Sequence, residues 1–161
     1  MATSYCLPKV ADVKEMLNMM FGGDAAVKSG RALDIKAGTG ALVAIYVADD
    51  GAPVAASACD ISFAAYAGSS LSLIPAGSAK DAAKTGALSD VMMGNLNEIM
   101  NILSRLLMDT NTPHLKLDSL YRDPKQLPDN TSAMIARPKG RVDYEVTVPR
   151  YGSGRLSFLV T

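Results

Sequence analysis

The sequence has little of what most catalytic centres are built from. Its 161 residues include one histidine, two cysteines and no tryptophan. A Ser-His-Asp triad, a Cys-His pair or an imidazole-rich zinc site would depend on His114 alone. His114 lies in a strand-like segment, and we expect an ordinary surface or turn histidine there. The scarcity of histidine and cysteine therefore argues against these enzyme classes and against a metal site.

Net charge is also lacking. Sixteen basic and sixteen acidic residues cancel, so the chain has no global field that would attract nucleic acid or an anionic membrane. Five basic residues do cluster in the last predicted strands, but Asp143 and Glu145 interrupt them and no aromatic stacking platform accompanies them. The five are Arg137, Lys139, Arg141, Arg150 and Arg155. We interpret them as a solvated sheet face and expect no nucleic-acid partner.

No segment is suited to a membrane, a disulfide framework or a nucleotide loop. The longest strongly apolar run, residues 41–48, is far shorter than the ~20 residues of a spanning helix. Cys6 and Cys59 form no CxxC motif, and such sparse cysteines fit a reducing compartment. The Gly-Thr-Gly segment at 38–40 lacks the third glycine of a dinucleotide fingerprint. We therefore expect a cytoplasmic protein without a membrane partner.

The composition and patterning of the sequence predict one globular domain, residues 1–161. Hydrophobic residues make up 48% of the chain and charged residues 20%, which is enough to form a core. Periodicity predicts helices over 9–21, 60–72 and 89–108, a loop with one helical turn over 77–85, and strands over 31–36, 41–48, 53–59, 114–121, 132–137, 142–148 and 155–160. This order predicts an α+β fold in which two or three helices cover a mostly antiparallel sheet. A helix followed by strands occurs twice, which indicates an internal duplication.

Local signals place the helix ends. Gly22 and Gly23 supply the stop of the first helix, and Asp60 is suited to cap the second. Ser89 is suited to cap the third, with Asp90 in the first turn, where the helix dipole favours negative charge. The third helix is therefore predicted to span about five turns.

The long third helix is amphipathic. Its apolar side consists of Leu96, Ile99, Leu103, Leu106 and Leu107. The polar side consists of Asp90, Gly94, Asn97, Glu98, Asn101, Ser104 and Arg105. These polar residues fall within an arc of about 120°. One side is thus predicted to face the core and the other to be open.

Two helices carry the same pair of polar residues. The chain has only three glutamates, and two of them are followed three residues later by asparagine: Glu15 with Asn18, and Glu98 with Asn101. Residues three apart on a helix project side by side. Gly94, one turn before Glu98, removes bulk, so that a partner's backbone can approach. The simpler interpretation, that these polar side chains are only solvated, remains open.

Two Glu-x-x-Asn helices about eighty residues apart, each followed by antiparallel strands, resemble the CheC, CheX and FliY family of chemotaxis phosphatases. The segment 95–107, Asn-Leu-Asn-Glu-Ile-Met-Asn-Ile-Leu-Ser-Arg-Leu-Leu, is similar to the family's signature helix. The chain differs from the usual family pattern at Gly94, where Asp or Ser is common. It also has Ser104 and Arg105 where a glycine-containing segment usually follows.

The resemblance implies a function. Family members remove the phosphoryl group from the aspartate of a response-regulator receiver such as CheY. By this resemblance Asn101 would hold the attacking water and Glu98 would dock on the receiver's active-site lysine. Gly94, Asn97 and Arg105 would contact the same partner. The protein would need no cofactor of its own, because Mg²⁺ belongs to the receiver.

Two further expectations complete the analysis. Glu15 and Asn18 are a possible second site, and uncovered edge strands predict a homodimer, since CheX-like members pair through their sheets. The alternative function is a non-catalytic receiver-binding or flagellar-switch-like module of the same fold. Gly94 and Arg105 would then mark a site that has lost activity.

Overall fold

One six-stranded antiparallel sheet forms the centre of the molecule. A computed structural model describes residues 5–161 of the chain. The strands are β1 (Ala26–Ser29), β2 (Leu42–Val47), β3 (Pro53–Cys59), β4 (Lys116–Tyr121), β5 (Gly140–Val148) and β6 (Gly152–Val160). The helices are α1 (Val10–Phe21), α2 (Ile61–Ser70), α3 (Ala76–Thr85), α4 (Asp90–Leu103) and α5 (Ser132–Ala136). The predicted α+β fold class is confirmed. No helix of residues 5–161 has both the length and the apolar character to cross a bilayer.

The strand order shows the predicted duplication directly. The sheet runs β1-β5-β6-β3-β2-β4, and all neighbouring strands are antiparallel. Exchanging β1 with β4, β2 with β5 and β3 with β6 gives the same order in reverse. The helix α1 precedes β1 as α4 precedes β4. The two halves of the chain are therefore related by an approximate two-fold axis, and α1 and α4 are equivalent elements.

The sheet is buried on both faces, which we call the front and the back. Strand β2 shows this most clearly, since all six of its residues are buried. Leu42, Ala44 and Tyr46 point to the front, where α1, α2 and α4 cover the sheet. Val43 and Ile45 point to the back, into a smaller core that lies under irregular segments of the chain. The helices thus cover one face, as predicted, while loops and the short α5 cover the other.

The predicted N-caps of α2 and α4 and the predicted stop of α1 are confirmed. The Asp60 carboxylate accepts a hydrogen bond from the Phe63 amide at 2.8 Å, and Ser89 Oγ accepts one from the Met92 amide at 3.2 Å. Each bond satisfies one of the amides left free in the first turn of a helix. Gly22 has φ +82°, the left-handed conformation that ends α1.

Two predicted strands are wrong. Residues 31–36 form no strand, and the first strand is β1 at 26–29 instead. Residues 132–137 were predicted as a strand, but they contain the helix α5. In both segments the apolar residues that suggested a strand lie on the back core: Leu33 and Met134 are buried there, and Ile35 and Ile135 pack against them. An irregular segment or a short helix that packs against a sheet can have the same alternation of apolar residues as a strand.

Two helix predictions need correction. Residues 77–85 belong to α3, a helix of ten residues, whose buried positions are alanines and gave little apolar signal. The predicted helix over 89–108 is α-helical only to Leu103 and continues as a 3₁₀ turn, Ser104–Leu107. Met108 is extended. Leu106, predicted on the core side, is only half-buried because it lies in this turn.

A polar cluster fixes the back of β5. Arg141 and Asp143 form an ion pair at 2.8 Å, and their side chains are only 24% and 13% exposed. The Asp143 carboxylate also accepts hydrogen bonds from Ser157 Oγ and the Leu33 amide. Desolvation raises the pKa of Asp143, but the hydrogen bonds from Arg141, Ser157 and Leu33 outweigh it, so the pKa lies below its usual value.

This lowered pKa predicts the pH dependence of stability. A carboxyl group whose pKa is depressed by folding stabilises the protein above its unfolded pKa of about 3.9, and this contribution is lost as the pH falls through the folded value. Asp143→Asn should lower the free energy of unfolding at pH 7 by about 1–3 kcal/mol, because Arg141 loses its charged acceptor. Urea melts should show this difference shrinking below pH ~4. An equal difference at pH 7 and pH 2 would contradict the assignment.

Candidate functional site

The exposed side of α4 carries the candidate residues. Glu98 and Asn101 are both exposed, and they lie three residues apart on one regular helix. Side chains at this spacing are neighbours, with Cβ atoms about 5–6 Å apart. Gly94, Asn97 and Arg105 are exposed as well. We call these five residues the α4 polar face. The predicted exposure of all five is confirmed, but Ser104, also predicted on the open side of the helix, is buried.

The opposite side of α4 is fully enclosed. Leu96, Ile99, Met100 and Leu103 are all 0% exposed and belong to the front core. A helix whose apolar side is buried along its length cannot rotate without exposing that side. The core therefore sets the direction in which Glu98 and Asn101 point.

Close packing against α2 fixes the first half of α4. Gly68 of α2 is buried, and a Cβ atom at this position would lie 2.6 Å from the Met92 carbonyl oxygen. The two helix backbones thus approach to a distance that only glycine permits. Asn95 Nδ2 adds hydrogen bonds to the Gly68 carbonyl at 2.7 Å and to Ser72 Oγ at 2.8 Å. Asn95, one position beyond Gly94, is a structural asparagine rather than part of the open face.

A tyrosine from the sheet fixes the second half of α4. Because the helix tightens into a 3₁₀ turn, the Ser104 amide bonds to the carbonyls of Asn101 and Ile102 instead of that of Met100. The Met100 carbonyl accepts a hydrogen bond from the buried Tyr46 hydroxyl instead. Burial raises the pKa of Tyr46 well above its usual value, so the hydroxyl stays protonated and keeps this bond. Tyr46 therefore anchors the backbone between Glu98 and Asn101.

The side chains of Glu98 and Asn101 have no hydrogen-bond or ion-pair partner in the described part of the chain. Within residues 5–161, neither side chain takes part in the hydrogen bonds or ion pairs that hold the fold together. The Asn101 backbone differs, since its carbonyl accepts a bond from Ser104 Oγ at 2.6 Å. The carboxylate and the carboxamide are thus free for a partner, while the backbone beneath them is held in place.

The second pair is placed differently. Glu15 is exposed on α1, but Asn18 is half-buried and its Oδ1 accepts a hydrogen bond from the Ala25 amide at 2.8 Å. This bond ties the end of α1 to the chain entering β1. The Asn18 carboxamide oxygen therefore has a structural role that the Asn101 oxygen lacks. The sequence pattern, which is identical in the two helices, does not reveal this difference.

A shallow groove brings the two helices together. It has a volume of about 300 Å³ and is lined by Asp12, Glu15, Met16, Met19, Arg105, Leu106 and Met108. Glu15 from the first candidate pair and Arg105 from the α4 polar face thus line one surface. Met19 is 77% exposed beside them, which is unusual for a large apolar side chain. Asp12 was not predicted, although its spacing relative to Glu15 places it on the same side of α1.

No metal-ligand cluster accompanies this surface in the described part of the chain. Among residues 5–161, no three histidine, cysteine, aspartate or glutamate side chains come together as metal ligands. His114 is exposed, in keeping with its interpretation as a surface residue. Cys59 is buried, and burial raises the pKa of its thiol, which disfavours the nucleophilic thiolate. The α4 polar face itself offers amide hydrogen-bonding groups, the Glu98 carboxylate and the Arg105 guanidinium.

The fold is similar to that of FliM and FliY structures. No protein-family model matches the sequence, and no curated protein shows a significant sequence match. Comparison with solved structures does identify relatives of the fold. A chain of the FliM–SpeE complex from H. pylori superposes with a TM-score of 0.61 at 7% identity, covering 94% of this chain and 80% of that chain. The predicted resemblance to the CheC-like fold is confirmed.

Two other solved structures support the same fold. The FliM middle domain from Vibrio alginolyticus has a TM-score of 0.58 at 8% identity, covering 94% of this chain and 88% of that chain. FliY from Thermotoga maritima has a TM-score of 0.53 at 13% identity, covering 92% of this chain and 81% of that chain. At these identities the likeness concerns the fold, and function has to be argued from the site.

Proposed function

We propose that this protein binds the phosphorylated receiver domain of a response regulator on the α4 polar face and hydrolyses its aspartyl phosphate. One observation carries the proposal. Glu98 and Asn101 are exposed and free of protein partners, on a helix whose position is fixed by Gly68 and Tyr46. Preorganised polar groups without a structural role are typical of a functional site.

The proposed reaction asks little covalent chemistry of the protein. Hydrolysis of an acyl phosphate needs a water molecule in line with the breaking P–O bond and neutralisation of the phosphoryl oxygens. The Asn101 carboxamide both donates and accepts hydrogen bonds, so it can hold that water in line. Charge neutralisation is left to the receiver's own Mg²⁺ and lysine. The proposed enzyme therefore has no cofactor of its own.

Glu98 has the complementary role in docking. Its carboxylate would form a salt bridge to the receiver's active-site lysine and so align the phosphoryl group with Asn101. Gly94 leaves open space, since a Cβ atom there would meet nothing within 4 Å, and a receiver loop can approach the helix at this point. Asn97 and Arg105 would contact the receiver on either side. This proposal places the protein in the cytoplasm, with its substrate.

A non-catalytic role is the second candidate, and one observation favours it. The FliM structures, with TM-scores of 0.55 to 0.61, superpose better than FliY at 0.53. Solved complexes of FliM contain FliG or SpeE, so this fold presents surfaces to protein partners. Under this alternative the chain binds the receiver, or another switch component, without hydrolysing anything.

Receiver dephosphorylation is the experiment that tests the proposal. A receiver phosphorylated with a small-molecule donor is mixed with Mg²⁺, with and without this protein, and release of inorganic phosphate is followed. Faster release with the protein supports hydrolysis. Binding without faster release, measured by titration of the receiver carrying a phosphoryl mimic, would leave the non-catalytic candidate. If the protein neither binds nor dephosphorylates any receiver of its source organism, both candidate functions are wrong.

Replacing Glu98 should affect docking and turnover together. Glu98→Gln keeps the side-chain size but removes the charge, so the receiver should bind about tenfold more weakly, with the loss shrinking at high salt. Titration calorimetry at low and high ionic strength measures this. Asp81→Asn is the matched control, because Asp81 is an exposed carboxylate on α3, away from the α4 polar face. Equal affinities of Glu98→Gln and wild type would remove the salt bridge from the proposal.

We also propose a homodimer formed through β4. This strand lies at one end of the sheet order, and its outer side pairs with no strand of residues 5–161. An uncovered edge strand can pair with a second copy around a two-fold axis. Light scattering at micromolar concentration should give twice the monomer mass of 16.9 kDa. A single species at the monomer mass would rule the dimer out.

A further inference from the structure

A cavity on the back of the sheet is separate from the α4 polar face. It lies between the segment that follows β1 and the segment around α5, and Arg141 of β5 is part of its wall. Its volume is about 670 Å³. Sites for small molecules usually measure about 300–1,000 Å³. We call it the back-face cavity.

Part of the wall of the back-face cavity is apolar. Leu33, Ile35, Leu127 and Ile135 line it, and all four belong to or pack against the back core. Two irregular segments cover this face of the sheet where helices cover the other. Irregular segments fill space less regularly than helices, so a cavity with an apolar floor is left between them. Such walls would favour the apolar body of a ligand.

One polar group in the cavity wall is held in place and only partly used. Arg141 donates from Nε and Nη2 to Asp143, and from Nη2 to the Leu33 carbonyl. Its Nη1 has no acceptor among residues 5–161, and the side chain is 24% exposed. Nε and Nη2 thus hold the guanidinium in place, while the two N–H donors of Nη1 remain free. A free N–H donor of this kind can form a charge-assisted hydrogen bond to a carboxylate oxygen.

Most charged side chains at the cavity are paired with carboxylates. Three cationic and two anionic side chains line it: Lys36, Lys125, Arg141, Asp34 and Asp129. Arg141 is paired with Asp143 through Nε and Nη2, which leaves Nη1 as its open side. Lys36 and Lys125 are exposed and lie at 4.0 Å from Asp34 and Asp123, so Arg141 is the cation held within the wall.

We propose that the back-face cavity binds a small amphipathic monocarboxylate, with its carboxylate on Nη1 of Arg141 and its hydrocarbon body against the apolar walls. The binding site uses none of the residues of the α4 polar face. The proposed binding of a monocarboxylate therefore does not depend on the proposed phosphatase activity.

Octanoate and octanamide are the probes that test this site. They share one hydrocarbon chain and differ in the charge of the head group. Isothermal titration should show octanoate binding with an affinity about tenfold or more above that of octanamide, because only the carboxylate forms a charge-assisted pair with Arg141. In ¹⁵N-labelled protein, octanoate should shift the amide signals of residues 33–37 and 124–136. Equal affinity for the two probes, or shifts confined to α1 and α4, would overturn the proposal.

A pair of tryptophan variants locates the site without altering Arg141, whose replacement threatens the fold. Ala136 is exposed and lines the cavity, whereas Ala133 is exposed on the same helix and does not line it. Ala136→Trp should fill the entrance and weaken octanoate binding about tenfold or more, while Ala133→Trp leaves the affinity unchanged. Circular dichroism of both variants reports whether they are folded. Unchanged binding in folded Ala136→Trp would refute the assignment.

Discussion

Asn101→Ala should slow dephosphorylation of the receiver by about tenfold or more while leaving the receiver affinity nearly intact. The reason is that a carboxamide that positions the attacking water acts mainly in the transition state, whereas docking relies on Glu98 and its neighbours. Single-turnover release of phosphate from a labelled receiver gives the rate, and titration with a phosphoryl mimic gives the affinity. A loss of affinity that accounts for the whole loss of rate would assign Asn101 to docking instead.

The pseudo-equivalent residue supplies the comparison for this experiment. Wild type, Asn18→Ala, Asn101→Ala and the double variant are assayed together. Because Asn18 Oδ1 is bonded to the Ala25 amide, Asn18→Ala should lower stability by about 1 kcal/mol and leave turnover largely to the α4 pair. If Asn18 also positions a water, only the double variant would reach the uncatalysed rate. Four indistinguishable rates above background would remove both asparagines from the mechanism.

Leu103→Ala should lower the free energy of unfolding by about 2–5 kcal/mol, as expected for a large-to-small change in a packed core. Leu103 is 0% exposed and ends α4 in the front core, two residues beyond the exposed Asn101. Asn101→Ala, by contrast, should change stability by no more than about 0.5 kcal/mol, because the side chain has no protein partner. Denaturant melts of the two variants measure this contrast. Equal losses would show that the polar face of α4 is structural.

The elements with complete local signals were predictable from sequence. The strands predicted over 41–48 and 53–59 are β2 and β3, which pair as a hairpin across Asp49, Asp50 and Gly51. Asp60 and Ser89 are caps in both sequence and structure. The exposure of Glu98 and Asn101 followed from helical periodicity alone. In each case the residues adjacent in sequence are sufficient to determine the local structure.

The failures occur where distant contacts decide the conformation. The alternation at 31–36 reflects burial against the back core, but Leu33 is held by Arg141 and Asp143, which lie far along the chain. The early end of α4 leaves the Met100 carbonyl to the Tyr46 hydroxyl, which lies 54 residues away along the chain. The structural role of Asn18 depends on where the chain turns after α1. None of these partners is visible in a window of sequence around the residue concerned.

The position of β6 in the sheet affects how the protein is made. β6 is synthesised after the other five strands, yet it lies between β5 and β3, where Ala55 pairs with Val160. Before it emerges from the ribosome, β1 and β5 have no hydrogen-bonded connection to β2, β3 and β4. A nascent chain at this stage presents two unpaired inner edges, which are prone to associate with other chains. Cotranslational folding of this domain therefore cannot be completed until its last strand is available.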